Sequence, residues 1–302
     1  MGNKSGAFKG FAKYKKRKEK GKKMKGKTVL VTGGAGFIGK NVTDELVKTG
    51  NRVVCYEKDQ DITKPLRVTE HIDVVMHLAA IVGKGESEKK MVETNVLGTR
   101  NVLEWCKQQR TRMVFVSTCM VYGNPKRNPV DESTEVNPID GYAKSKAVAE
   151  ELCVKYAREK NVDCVIVRLF NPYGKGQKQP FLVPSIIDAM KGNTKLVLNA
   201  PELKRDYVHI NDVVAALVKA GEKGKKADVI NIGSGRGQTV QEVVAAVEKV
   251  AEQKINYVFT HNEVAVKEIW ASIKKAKQVL GWEPKISFEE GIKMLVEEEK
   301  KA

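Results

Sequence analysis

Cysteine and histidine are scarce in this chain of 302 residues, which has five of the first and four of the second. Cys55, Cys106, Cys119, Cys153 and Cys164 are odd in number and form no C-x-x-C pair. There is thus no C-x-x-C metal or redox motif, and reduced thiols in a cytoplasmic protein are the simplest account. The histidines show no metal-ligand spacing, so no metal is expected. No apolar run approaches the roughly 20 residues of a membrane-spanning helix, and no secretory apolar region lies near the start. Acidic residues are also few, 37 against 54 Lys and Arg. What remains is a 41% hydrophobic chain, enough to bury a sizeable core in one large domain or two coupled ones.

The net charge of +17 is unevenly spread. Residues 1–27 hold twelve Lys and Arg against the single acid Glu19, so +11 lies there and +6 in the rest. This Gly- and Lys-rich stretch has no strand or helix period and is expected to be a disordered basic tail. Phe8, Phe11 and Tyr14 interleave with its lysines. That composition suits contact with RNA or an anionic membrane surface, although a solvated tail is the simpler account.

The most informative stretch begins where the tail ends. Thr28-Val29-Leu30-Val31-Thr32 reads as a buried strand. Gly33, Gly36 and Gly39 follow in a G-x-x-G-x-x-G spacing and open an amphipathic helix from Phe37 to Thr49, which stops at Gly50. Such a turn lets backbone N–H groups approach a pyrophosphate and sets that anion at the positive end of a helix. A second strand, 52–56, ends at Glu57, where a βαβ dinucleotide fold needs a carboxylate for the adenosine ribose. A 2′-phosphate would be repelled there, so NAD is favoured over NADP.

Strands are predicted at 28–32, 52–56, 73–79, 112–117, 163–169 and 228–232. Helices are predicted at 37–49, 88–108, 142–160, 181–191, 211–222, 239–253, 272–280 and 288–299. This alternation implies an α/β fold with a doubly wound parallel sheet. The division expected is a basic tail (1–27), a dinucleotide domain (28–170) and a mainly substrate-binding lobe (171–302), with 206–235 returning to the sheet.

Tyr142 and Lys146 are i and i+4 on one predicted helix and share a face. A phenol with pKa about 10 is a poor base at neutral pH. Lowering it by about 3 units takes about 4 kcal/mol, which a nearby ammonium and a cationic nicotinamide could supply. Phe115–Thr118 reads as a buried strand ending in the hydroxyls of Ser117 and Thr118, at the sheet edge where doubly wound folds bind ligands.

Eight blocks in order carry a family resemblance: Thr32 to Gly39, His77 to Ala80, Asn95 to Thr99, Ser117 to Gly123, Tyr142 to Lys146, Arg168 to Gly174, Arg205 to His209, and Asn231 to Gly237. From about Lys27 onward the chain resembles the extended short-chain dehydrogenase/reductases, in particular the NAD-dependent nucleotide-sugar epimerases and dehydratases. The resemblance implies Tyr142 as catalytic base and acid, with Lys146 lowering its pKa and holding the nicotinamide ribose. It implies Thr118 on the reacting sugar hydroxyl. Gly33, Gly36, Phe37, Ile38 and Gly39 would lie against the pyrophosphate, Glu57 on the adenosine ribose, and Asp61 and Ile62 beside adenine. Leu78, Ala79, Ala80, Asn95 and Ser117 would line the cofactor site, and Phe170 would lie near the nicotinamide. Asn171, Arg205 and Arg236 would hold the nucleotide diphosphate of the sugar, a task that suits the planar arginine fork. Family members are often homodimers through two helices, here those predicted at 88–108 and 142–160.

Departures from the family pattern narrow the activity. Dehydratases carry Asp-Glu directly after the Thr; here Cys119 and Met120 stand there, and neither can do carboxylate acid/base chemistry. Only Lys58, Asp59 and Gln60 separate Glu57 from Asp61, where relatives insert an extra edge strand. Lys267 stands near where relatives often carry an arginine for the nucleotide phosphates. The expected activity is 4-epimerisation of a UDP-hexose by oxidation at C4, rotation of the keto sugar and re-reduction. A keto-sugar reductase, a uronate decarboxylase, and a non-catalytic NAD-binding scaffold with an RNA-binding tail are the alternatives.

Overall fold

Runs of β-branched and aliphatic residues form the strands, and the strands lie where those runs fall. In the computed structural model, which describes residues 24–57, 59–82, 86–192 and 194–300, β1 (Thr28–Thr32) is buried from Val29 onward. The glycine turn follows, then α1 (Phe37–Lys48), β2 (Arg52–Tyr56) and β3 (Val74–His77). α2 (Glu88–Val92) and α3 (Gly98–Gln109) lead to β4 (Arg112–Thr118), α4 (Gly141–Glu159) and β5 (Cys164–Leu169). Then come β6 (Pro172–Tyr173), α5 (Leu182–Gly192), β7 (Leu196–Asn199), β8 (Lys204–Arg205), β9 (Val208–His209) and α6 (Ile210–Glu222). The chain closes with β10 (Val229–Ile232), β11 (Gln238–Thr239), α7 (Val240–Ala251), β12 (Tyr257–Thr260), β13 (Glu268–Ile269) and α8 (Phe288–Glu299).

Six strands pair in the order β10-β5-β4-β3-β1-β2, every pair parallel. The chain leaves β1 toward β2 and returns to β3 on the other side. The strand order therefore reverses between β1 and β3, and a ligand crevice opens at their carboxyl ends. The sheet ends on β2, whose residues are half exposed. The short Glu57–Asp61 connection leaves no chain for an edge strand beyond it.

One core holds Val29, Val42, Val114, Val165, Leu217 and Ile230, so α6 and β10 belong to the central sheet. Leu30, Val75, Leu103, Phe115, Cys153 and Ile166 form the layer on the opposite face. A separate core of Val183, Ile186, Val243, Val247, Ile292 and Val296 unites α5, α7 and α8.

Two expectations are corrected. The helix predicted at 88–108 is broken by a π-helical turn, Glu93–Leu97. There Asn95 turns inward, donates to the Ile81 carbonyl (3.1 Å) and Ser145 Oγ (2.9 Å), and accepts from the Ile81 N–H (2.8 Å). The other concerns residues 24–27, expected in the basic tail, which belong to the fold. Residues 1–23 lie outside the described residues, but Met24 is buried in the sheet core and its N–H donates to Glu222 at 2.8 Å. Lys27 pairs with Asp73 at 2.7 Å.

Candidate active site

The glycine turn is built for close approach. Gly33 has φ +72°, and a Cβ there would stand 2.8 Å from the Ala79 backbone. At Gly39 a Cβ would come within 2.1 Å of the Gly33 carbonyl oxygen. α1 then starts from Gly36 with no side-chain cap and no acidic residue in its first turn. Its leading N–H groups and positive dipole end are therefore uncompensated by any side chain. Glu57, at the end of β2, accepts from the Ala35 N–H at 3.2 Å and so ties the second strand to this turn.

A cavity of about 670 Å³ runs from the turn along the carboxyl ends of the sheet. Among the predicted residues, Gly33, Gly36, Phe37, Ile38, Gly39, Leu78, Ala80, Ser117, Thr118, Tyr142, Lys146 and Asn171 line it. The structure thus brings together the turn, the strand-end hydroxyls and the Tyr/Lys pair. Ser117 Oγ is buried with no hydrogen-bond partner among the described residues. A hydroxyl left unpaired in this way is a donor and acceptor available to a ligand.

Tyr142 and Lys146 are displayed by α4, which Asp140 caps by accepting from the Ala143 N–H at 2.7 Å. Burial raises the Tyr142 phenol, and the nearby Cys119 and Asp140 push the same way; a hydrogen bond with Thr118 opposes them. Burial lowers the Lys146 ammonium to about 8, against the pull of Cys153 and Glu150. Its Nζ lies 4.1 Å from the centre of the Phe115 ring, a cation–π contact that keeps a buried charge tolerable. The sequence predicts that Lys146 lowers the Tyr142 pKa. In this structure Lys146 is not among the groups that shift Tyr142: burial, Cys119 and Asp140 all raise the phenol and only Thr118 opposes them.

Other predicted residues stand outside the lining. Asp61 is held by the N–H and hydroxyl of Thr63 (2.9 and 2.7 Å), which lower its pKa. Ile62 packs beneath Gly98. Ala79 donates its N–H to Thr32 Oγ1 at 3.2 Å. Phe170 is fully buried beside Tyr122. The Arg205 guanidinium donates to the carbonyls of Lys204 (2.8 Å), Lys267 (3.3 Å) and Val266 (2.7 Å), and its burial lowers its pKa. Arg236 is exposed. Sequence reasoning missed Tyr207, Gln177, Phe181, Leu182 and Val183, which wall the far side of the cavity. Tyr207 lies inside the Arg205 to His209 block, while the other four are hinted at only by the Pro- and Gly-rich composition of 171–210.

The profile of the NAD dependent epimerase/dehydratase family matches residues 29–233. The chain belongs to that family. This epimerase/dehydratase is 31% identical to the UDP-glucose 4-epimerase of Rhizobium leguminosarum bv. trifolii, over 89% of this chain and 96% of that one. It is equally 31% identical to UDP-glucuronic acid decarboxylase 6 of Arabidopsis thaliana, over 89% of this chain and 88% of that one. Among solved structures it resembles a UDP-glucuronic acid 4-epimerase variant from Bacillus cereus in complex with UDP-4-deoxy-4-fluoro-glucuronic acid and NAD. That likeness has a TM-score of 0.83 and 27% identity, covering 91% of this chain and 99% of that one. The family's NAD suits the residues present. The turn would have no room for side chains at Gly33 and Gly39, the start of α1 has no side-chain cap, and Ser117 Oγ is orphaned in the cavity.

Proposed function

We propose that this chain is an NAD-dependent nucleotide-sugar 4-epimerase acting on a neutral UDP-hexose. The observation that carries the reading is one cavity lined at once by the glycine turn, by Thr118, Tyr142 and Lys146, and, directly after Thr118, by Cys119 and Met120. Gly33, Gly36, Phe37, Ile38, Leu78, Ala80 and Ser117 would hold the cofactor, and Glu57 would reach its adenosine ribose. NAD, when bound, supplies a hydride acceptor and returns the hydride, so no net redox change results. Thr118 Oγ1 orients the sugar hydroxyl that reacts. Tyr142 Oη takes its proton and later gives it back. The charge on Lys146 favours the phenolate form. Asn171 lines the same cavity, where it can meet the nucleotide diphosphate.

Cys119 supports epimerisation over dehydration. Burial pushes its thiol up to about 12, so it neither donates nor accepts a proton usefully near neutral pH. The second reading is a uronate decarboxylase, favoured by the equal identity to the Arabidopsis enzyme. Against it, Lys146 is the only cation among the described lining residues, so none is left to hold a sugar carboxylate.

Incubation with UDP-, dTDP-, GDP- and CDP-sugars, products separated by chromatography, tests the proposal. Interconversion of UDP-glucose and UDP-galactose without added NADH is expected. Carbon dioxide from UDP-glucuronate would establish the decarboxylase instead, and net consumption of a reduced nicotinamide a reductase. A homodimer through α3 and α4 goes with this reading. Val92 at the end of α2, Leu97 in the π-helical turn before α3, and Val148 on α4 expose apolar side chains. No described helix is long and apolar enough to cross a membrane, and buried free thiols at Cys106, Cys119, Cys153 and Cys164 suit a cytoplasmic setting.

A further inference from the structure

The cavity wall formed by Gln177, Phe181, Leu182, Val183 and Tyr207 takes no part in the chemistry of Thr118, Tyr142 and Lys146. Its side chains are apolar or aromatic apart from the Gln177 amide and the Tyr207 hydroxyl.

Gln177 is held in one orientation. It lies four residues past the end of β6, and its Nε2 donates to the Pro172 carbonyl at 2.8 Å. Only an N–H can meet a carbonyl in that way, so the amide cannot turn over without losing the bond. The Gln177 backbone N–H donates to the Gly174 carbonyl at 3.2 Å, which fixes the root of the side chain as well. The remaining amide atom, Oε1, is buried and has no hydrogen-bond partner among the described residues. Buried acceptors are nearly always paired, so one left over in a cavity lining marks a place for a ligand donor. A phenol such as Tyr207 can donate or accept, but a glutamine oxygen only accepts.

The proposed activity already occupies the rest of the cavity. The cofactor takes the glycine turn, the sugar takes Thr118 and Tyr142, and Asn171 meets the diphosphate. Asn171 directly precedes Pro172, to whose carbonyl Gln177 is tied. The part of the substrate left for this wall is the nucleoside, whose planar base suits the side chains of Phe181, Leu182 and Tyr207. Uracil carries a single ring N–H beside its glycosidic nitrogen, at N3 between two carbonyls. In cytosine the same ring position is an acceptor and would face Oε1 lone pair to lone pair.

We propose that Gln177 is a specificity-determining residue whose Oε1 accepts the N3–H of a uracil base. The inference rests on the UDP-hexose reading and adds how that base is told from cytosine. Thymine carries the same N3–H, so Gln177 does not separate UDP-sugars from dTDP-sugars.

The test is calorimetric titration of the NAD-saturated full chain with UDP, CDP and 3-methyl-UDP, in which a methyl group replaces the N3 proton. The parent should bind UDP at least about tenfold more tightly than either of the others. Gln177→Met keeps the length of the side chain and removes the strong acceptor. It should bind UDP at least about tenfold more weakly than the parent does, and 3-methyl-UDP about as the parent does. The comparison of nucleotides on the parent needs no variant, so it decides the matter even if Gln177→Met does not fold. Equal affinity of the parent for UDP and for either other nucleotide overturns the proposal and leaves the UDP-hexose reading standing. An equal loss for UDP and 3-methyl-UDP in Gln177→Met also overturns it, and would place Oε1 on the ribose or give the amide a structural role alone. Failure of the parent to bind UDP at all would overturn the UDP-hexose reading itself, and this inference with it.

Discussion

Thr32 and His77 are register partners on β1 and β3, and the Thr32 hydroxyl stands 2.7 Å from His77 Nδ1. The network around the pair fixes its protons. Thr99 Oγ1 donates to the Asn95 carbonyl at 2.6 Å, so at 3.0 Å it accepts from His77 Nε2–H. Nδ1 therefore accepts from the Thr32 hydroxyl, which in turn accepts from the Ala79 N–H. This buried chain locks together the carboxyl ends of the two strands that flank the crevice.

Burial lowers His77 to about 3, with the charge of Lys146 adding to the effect. Unfolded, the same imidazole titrates near 6.5. Above that pH both states are neutral and His77 adds no pH dependence. Below it the unfolded chain takes up a proton that the fold refuses. Stability should then fall by up to about 1.4 kcal/mol per pH unit, from about pH 6.5 down toward 3. Denaturant unfolding at pH 6.5 and 5 should show that loss in the parent and about 2 kcal/mol less of it in His77→Gln. Equal losses in both chains would mean that His77 is not held neutral by the fold.

Arg168 on β5 and Glu150 on α4 form a buried pair. Nη2 meets Oε2 at 2.6 Å, and Nε lies 3.0 and 3.1 Å from the two carboxylate oxygens. The guanidinium also covers the Tyr122 ring at 4.7 Å. Removing one partner strands a charge, so Glu150→Leu should cost about 3–5 kcal/mol. Arg168→Met combined with Glu150→Leu should cost less than either single change. Chemical denaturation of the three variants measures the coupling, and strictly additive losses would rule it out.

Much of this fold is legible in the chain itself. The six strands of the central sheet fall where β-branched runs predict them, because buried parallel strands need continuous apolar sequence. The break at Glu93–Leu97 is not legible. Helical periodicity continues through it, and what bends the chain is Asn95 finding Ile81 and Ser145, contacts 14 and 50 residues away. The two-residue strands β6, β8, β9, β11 and β13 likewise exist only because tertiary neighbours pair with them. The turn, Thr118, Tyr142 and Lys146, which motif reading names, line one cavity in the fold. Motif reading also predicts Arg205 as a phosphate ligand, whereas the fold engages its guanidinium with the carbonyls of Val266 and Lys267, some 60 residues downstream.

The glycines separate by what surrounds them. A Cβ at Gly39 collides with the Gly33 carbonyl, while one at Gly36 meets only that same oxygen, at 3.3 Å. Gly39→Ala should therefore distort the turn, lowering both the melting temperature and the affinity for NAD, the latter by tenfold or more (about 1.4 kcal/mol). Gly36→Ala should cost less than about 1 kcal/mol of stability, yet still weaken NAD because Gly36 lines the cavity. Calorimetric titration beside thermal melts distinguishes the two, and unaltered NAD affinity in both would place the cofactor elsewhere.

Tyr142 and Lys146 give the sharpest kinetic expectation, because burial moves them in opposite directions. The phenol is raised and the ammonium is lowered to about 8. In the proposed mechanism turnover needs the phenol to lose its proton, and the positive charge of Lys146 is what favours that loss. As pH rises past 8 that charge is lost, so kcat/KM for the proposed UDP-hexose substrate should fall on an alkaline limb near 8. Lys146→Arg stays charged throughout and should lose the limb, at a rate reduced by tenfold or more because the planar fork does not fit the place of a point charge. Tyr142→Phe should lower turnover by at least about 10³-fold while NAD binds nearly as before. Turnover undiminished in Tyr142→Phe would sink the mechanism, and an alkaline limb that persists in Lys146→Arg would assign it to another group.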